Sequence, residues 1–82
     1  MYYLYIIQNK EANYYTGTTN NLKRRLKEHN KGKSIATKNR GPWKLVYSEK
    51  FKTRSAAMKR EYYIKSQKSR AFISKLIKSR NY

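Results

Sequence analysis

Eighty-two residues supply one hydrophobic core and not two, so a single domain spanning residues 1–82 is expected. Lys and Arg number 21 against four acidic residues, a formal charge of +17, which exceeds what solubility needs and points to a polyanionic partner. With no Cys, disulfides, thiolate nucleophiles and Cys-ligated zinc are excluded, and a reducing, cytoplasmic setting is permitted.

Residues 2–7, Tyr-Tyr-Leu-Tyr-Ile-Ile, are apolar on both alternating faces and rich in β-formers, which predicts a central strand covered on both sides. The run is too short to span a bilayer and lacks a basic leader, so it reads as a strand and neither as a signal peptide nor as a membrane anchor. The polar stretch 8–13 has turn chemistry, and 14–18 is again aromatic and β-branched, so the two segments predict a hairpin with Tyr15 and Gly17 on one face and Tyr14, Thr16 and Thr18 on the other.

Asn20 or Asn21 caps a helix running from Leu22 to about Asn30, with Gly32 placed to end it. Leu22, Arg25, Leu26 and His29 form one stripe of that helix, which puts two polar residues on the core-facing side. Arg24 and Glu28 are spaced to pair across one turn. Residues 31–42 have no period and hold Gly32, Gly41 and Pro42, marking a long basic loop in which Lys31, Lys33, Lys38 and Arg40 are candidates for contacting nucleic-acid phosphates.

Trp43, Leu45 and Tyr47 alternate with Lys44, Val46 and Ser48, predicting a third strand that ends before Phe51 with those three large residues on one face. Thr53 or Ser55 caps a second helix through about Ser66, and Ser69 caps a third in which Phe72, Ile73, Leu76 and Ile77 make an amphipathic stripe. In the second helix Glu61 lies one turn from Ala57, Met58 and Ile64, on or beside the packed face, where a carboxylate needs a partner. The charges are dispersed from Lys10 to Arg80 and belong to the folded surface. The predicted fold is α+β: a small, mainly antiparallel three-stranded sheet flanked by helices in the order β-β-α-β-α-α.

Tyr5, Tyr15, Arg25, His29 and Glu61 are the residues that this pattern leaves in unexpected places, and as a set they suit one phosphate. Phosphodiester hydrolysis needs a base for the water, a cation over the developing charge and usually an oxygen-bound metal, roles open to Tyr, Arg and Glu. No Asp occurs and one His without thiols builds no zinc site, which excludes clustered-acid and zinc chemistry.

Tyr5-Ile6 in a first strand, Tyr15-Thr16-Gly17 in a second, Arg25 ten residues after Tyr15 and His29 one turn later resemble the GIY-YIG nuclease motifs across nearly the whole chain. Residues 18–26 and 44–49 are similar to the small stand-alone branch related to the catalytic domain of the repair excinuclease subunit UvrC. The first motif departs from the name-giving pattern, reading Leu4-Tyr5-Ile6. The resemblance implies a metal-dependent DNA endonuclease of low sequence specificity, with RNA not excluded and a larger repair complex as context. Tyr15 would activate the water with support from Tyr5, Arg25 would stabilise the pentacovalent phosphate, His29 would stand beside them, and Glu61 would bind one Mg²⁺ or Mn²⁺. The rival expectations are a non-catalytic nucleic-acid-binding module of the same fold and a basic adaptor for an acidic protein.

Overall fold

The two-sided apolar run becomes the middle strand of the sheet, where helices packed on both sheet faces bury both of its side-chain rows. In the computed structural model, which describes residues 1–79, the order is β1 (Tyr2–Gln8), β2 (Tyr14–Thr19), α1 (Leu22–Asn30), β3 (Lys44–Phe51), α2 (Arg54–Ser66) and α3 (Arg70–Lys78). The fold is α+β, and its sheet is antiparallel throughout with strand order β2-β1-β3. Arg80 lies outside the described residues. Among those described, no helix is long and apolar enough to cross a membrane.

β1 divides the core. Leu4 and Ile6 point into a cluster with Tyr47 and Ile64, closed by Phe72, Ile73, Leu76 and Ile77 of the α3 stripe. Tyr5 and Ile7 point the other way, into a cluster with Trp43, Tyr15, Leu22 and Leu26. One face is therefore covered by α2 and α3 and the other by α1, and Leu4, Ile6 and Ile7 are fully buried.

All three helices begin on a side-chain cap of the kind their sequences advertise. Asn21 accepts from the Arg24 N–H, Thr53 from Ala56 and Ser69 from Phe72, at 3.0–3.1 Å. α1 stops where Gly32 adopts a φ of +77°, and its N–H meets the His29 carbonyl at 3.2 Å.

β3 departs from the expectation in two ways. It begins at Lys44, one residue after Trp43, and runs through Phe51, which pairs with Tyr2 instead of lying beyond the strand. Its register against β1 also slips between Ile6↔Tyr47 and Ile7↔Leu45, so Val46 is an extra residue and the strand bulges there. One extra residue inverts the alternation. Trp43 therefore packs with Tyr5 and Ile7, whereas Tyr47 packs with Leu4 and Ile6 on the opposite face. The shared face predicted for Trp43, Leu45 and Tyr47 is corrected accordingly, and Leu45 remains 40% exposed.

Behind the bulge, Glu49 ties β3 to α2. The Arg60 guanidinium donates to Glu49 from Nε to Oε1 at 3.0 Å and from Nη2 to Oε2 at 3.0 Å, and the Tyr47 hydroxyl donates to the same carboxylate. A forked pair sheltered by a neighbouring ring fixes the rotation of α2 about its own axis, which sets where the next residue, Glu61, faces.

The bulge makes a stability prediction that simple alternation does not. Trp43→Ala and Tyr47→Ala should each cost about 3–5 kcal/mol, because each empties a different half of the core. Leu45→Ala should cost less than about 1 kcal/mol, as expected of a largely solvated side chain. Denaturant titration of the three variants checks this, and equal losses at all three positions would contradict the bulge.

Candidate active site

Tyr5 lies in the middle of the sheet, opposite Gly17 of β2, and its ring passes over the glycine. A Cβ on Gly17 would stand 2.7 Å from the Tyr5 hydroxyl oxygen and 2.9 Å from Cζ, closer than real Cβ contacts allow. Gly17 is thus required by close approach and not by backbone conformation. That clearance lets the hydroxyl reach His29, whose Nε2 lies 2.7 Å away.

His29 is almost wholly buried at the end of α1, and its ring bridges two hydroxyls. Its Nδ1 is 2.7 Å from Oγ1 of Thr37. With the ring proton on Nδ1, His29 donates to Thr37 and accepts from Tyr5; with the proton on Nε2, both bonds reverse. Burial, joined by the positive charge of Arg25, pushes the imidazole pKa below its ordinary range, so the ring is neutral. The Tyr5 hydroxyl is pushed up to about 12 by burial, against the opposing effect of a hydrogen bond and charge from Arg25, so it keeps its proton.

Tyr15 stands beside this pair. Its ring centroid is 5.0 Å from that of His29 and 6.4 Å from that of Tyr5. Its hydroxyl makes no hydrogen bond among the described residues, unlike that of Tyr5. The two tyrosines, equivalent by motif, thus differ in environment: one is committed to the interior and one is available.

Arg25 on α1 acts electrostatically on the Tyr5 hydroxyl and pairs with Glu28, Nη1 to Oε1 at 2.9 Å, both side chains about one-third exposed. Glu28 also pairs with Arg24 across one turn as the spacing allowed, Nε to Oε2 at 3.8 Å. The closer i,i+3 pair prevails, and Glu28 becomes the residue that orients Arg25. A polar cleft opens in front of this arginine, lined by Thr18, Thr19, Asn20, Arg24, Glu28 and Arg54.

Glu61 on α2 is the partly buried carboxylate that its period implied, and its charge is felt at the Tyr5 hydroxyl. Its partner is Lys65, whose Nζ lies 2.6 Å from Oε2 and 5.8 Å from the centroid of the Tyr15 ring. No cluster of three or more metal-ligating side chains occurs among the described residues. A single carboxylate still suits a hard dication, which takes oxygen donors and keeps most of its own waters. Lys65 engages Oε2 alone, which leaves Oε1 of Glu61 for such binding.

The loop over 31–42 is anchored more firmly than its composition implied. Thr37 is fully buried, and its carbonyl accepts from the Trp43 indole N–H at 3.2 Å. Asn30 grips the Trp43 backbone at both ends, its Oδ1 accepting at 2.6 Å and its Nδ2 donating at 3.1 Å. Asn9 donates to the Arg40 carbonyl at 3.0 Å. Lys31, Lys33, Lys38 and Arg40 are all exposed on this anchored loop. Thr37 was invisible beforehand, because a lone Thr in an aperiodic basic segment carries no positional signal, whereas Gly17 stood out within the Tyr15-Thr16-Gly17 motif.

The signature described as the GIY-YIG catalytic domain matches residues 1–76. A UPF0213 protein of Clostridium perfringens is 48% identical, covering 100% of this chain and 94% of its own length. One from Staphylococcus haemolyticus is 47% identical over 79% of this chain and 80% of its own. The solution NMR structure of a UPF0213 protein from Bacillus halodurans superposes with a TM-score of 0.61 at 38% identity, covering 95% of this chain and 84% of that one.

Two outcomes follow from the geometry. Gly17→Ala should destabilise the protein by about 1–3 kcal/mol, because Tyr5 is held by packing and cannot simply swing aside; a melt unchanged from wild type would refute the close approach. His29, the only histidine, has a folded-state pKa below its unfolded value. Its contribution is therefore complete above pH of about 6.5 and is lost as the pH falls from there through the folded pKa. Thermal melts between about pH 8 and 5 should show this loss in the wild type and a flatter profile in His29→Gln.

Proposed function

The chain belongs to the GIY-YIG catalytic-domain family, and on that premise we propose that it is a metal-dependent endonuclease hydrolysing phosphodiesters in DNA, with RNA as an open second substrate. The observation that carries the proposal is the grouping of Tyr5, Tyr15 and His29, with ring centroids 5.0–6.4 Å apart, beside an arginine that faces a polar cleft. Cytoplasmic action within a repair assembly and low sequence specificity belong to the same proposal, the latter because so small a surface reads few bases.

In this mechanism the phosphate sits in the cleft before Arg25. Tyr15, whose hydroxyl is uncommitted, hydrogen-bonds the attacking water and takes its proton while passing its own phenolic proton to solvent, as the water oxygen bonds to phosphorus and the bond from phosphorus to the leaving sugar oxygen breaks, that oxygen taking a proton from solvent. Arg25 stabilises the charge that develops on the phosphoryl oxygens, a task for a guanidinium already aligned by Glu28 and Tyr5. Tyr5 and His29 act as positioning residues: the neutral ring and the protonated phenol hold each other, and through them the floor of the site. Lys65 stands over the face of the Tyr15 ring, bringing a cation to the edge of the site. Glu61 would hold Mg²⁺ or Mn²⁺, which when bound supplies Lewis-acid stabilisation of the phosphate. Lys31, Lys33, Lys38 and Arg40 carry the flanking backbone, contributing affinity without base reading.

A second reading, a module that binds nucleic acid without cutting it, is favoured by one specific observation. Glu61 is already satisfied by Lys65 at 2.6 Å and Arg25 by Glu28 at 2.9 Å, so both charges have internal partners.

Nicking of supercoiled plasmid in Mg²⁺ or Mn²⁺, beside a binding titration and a melt for every variant, separates the two. Glu61→Ala should lose about 10²-fold or more in cleavage while binding DNA at least as tightly, because net positive charge rises. Arg25→Ala should lose comparable rate with a smaller loss of affinity, and Tyr15→Phe should lose rate alone. Cleavage by folded Glu61→Ala at the wild-type rate would discard the metal assignment. Failure of the wild type to cut any substrate that it binds would establish the second reading.

A further inference from the structure

The outer side of α2 carries a surface that the proposed chemistry does not use. Met58 and Tyr62 lie four residues apart, 49% and 77% exposed, and with Arg54, Ser55 and Lys59 they line a shallow apolar groove. Tyr63, the next residue, is already engaged, edge-on to Phe72 and beneath Arg60. Tyr62 makes no ring contact, hydrogen bond or cation–π pair among the described residues. An aromatic ring turned to water beside Met58 in a chain of charge +17, flanked by Arg54 and Lys59, is well suited to a base.

Continuity identifies the occupant. Arg54 lines both this groove and the polar cleft that holds Arg24 and Arg25, so the two surfaces meet at one guanidinium. Arg54 has no ion pair among the described residues, leaving it free for a phosphate. We infer that an unpaired nucleotide flanking the phosphate in the cleft crosses Arg54 and stacks its base on Tyr62 against Met58, making the outer face of α2 a single-strand binding surface. This rests on the nucleic-acid reading of the cleft and deepens it. The chemistry is sequence-tolerant, because every base offers a π-face, and electrostatic in its backbone component. Substrates with a single-stranded flank would then be preferred to uninterrupted duplex.

The test is binding without turnover. A short single-stranded oligonucleotide bearing one 2-aminopurine is titrated with protein in EDTA, beside a blunt duplex of the same length. Wild type should quench the fluorophore; Tyr62→Ala should bind the single strand about tenfold more weakly and lose the quenching, with duplex affinity and melting temperature unchanged. Tyr62→Phe should restore both, since stacking needs the ring and not the hydroxyl. Arg54→Gln should weaken single-strand binding and lower its salt slope by about 0.7. Equal affinity and quenching in Tyr62→Ala, with wild type binding normally, would overturn the inference and leave the cleft reading intact. Failure of the wild type to bind either oligonucleotide would overturn both.

Discussion

A phenol taken out of water must be given a hydrogen-bond partner, and the way in which Tyr5 is satisfied governs much of this molecule. Its ring is buried in the central strand, so its hydroxyl has to find a partner from outside the sheet, and it finds His29 at 2.7 Å. The requirement then spreads. Gly17 must lack a side chain for the ring to lie where it does, α1 must present His29 inward, and Thr37 must fold back from the loop to satisfy the second ring nitrogen. Each polar group is affordable in the interior only because the next one is present, and no buried side-chain polar atom in the described residues is left without a partner.

This network explains why so polar a sequence makes a defined core. Two small apolar clusters lie on opposite sides of β1, and the one toward α1 includes Tyr5, Tyr15 and Trp43. Purely apolar side chains would fill that half without orienting anything. Tyrosine, histidine and threonine instead impose direction, because their bonds form only in one arrangement of α1 and the loop relative to the sheet. On the other side Glu49 has the corresponding function, holding α2 through Arg60. The candidate site lies where these two oriented halves meet, which is why residues from two strands and two helices reach it.

The architecture was largely legible in the sequence because it rests on local periods. The two-sided strand, the three N-caps at Asn21, Thr53 and Ser69, the inward polar residues of α1 and the apolar stripe of α3 are all consequences of spacing along one element. What escaped depends on relations between elements. The bulge at Val46 arises from matching two edges of register across β1 and β3, so alternation within β3 alone assigned Tyr47 to the wrong face. Thr37 acquires meaning only once His29 is buried above it. Glu28 pairs with both Arg24 and Arg25, and that the closer bond goes to Arg25 was not set by helical spacing alone. Of the candidate site, the five residue identities came from motif spacing, whereas the difference between an engaged Tyr5 and an unengaged Tyr15 is a property of the folded surroundings.

Arg60, Glu61 and Tyr62 are consecutive, and on an α-helix consecutive side chains point about 100° apart. One therefore holds the helix to the sheet, the next pairs with Lys65 one turn along and the third looks to solvent. Structural, chemical and surface constraints are thereby carried by neighbouring codons yet remain physically independent. A lineage could exchange the outward residue for another aromatic, a charge or a small side chain without touching either of its neighbours' contacts. Divergence of the exposed surface would then accumulate at the third position, while drift at the first is held back by folding.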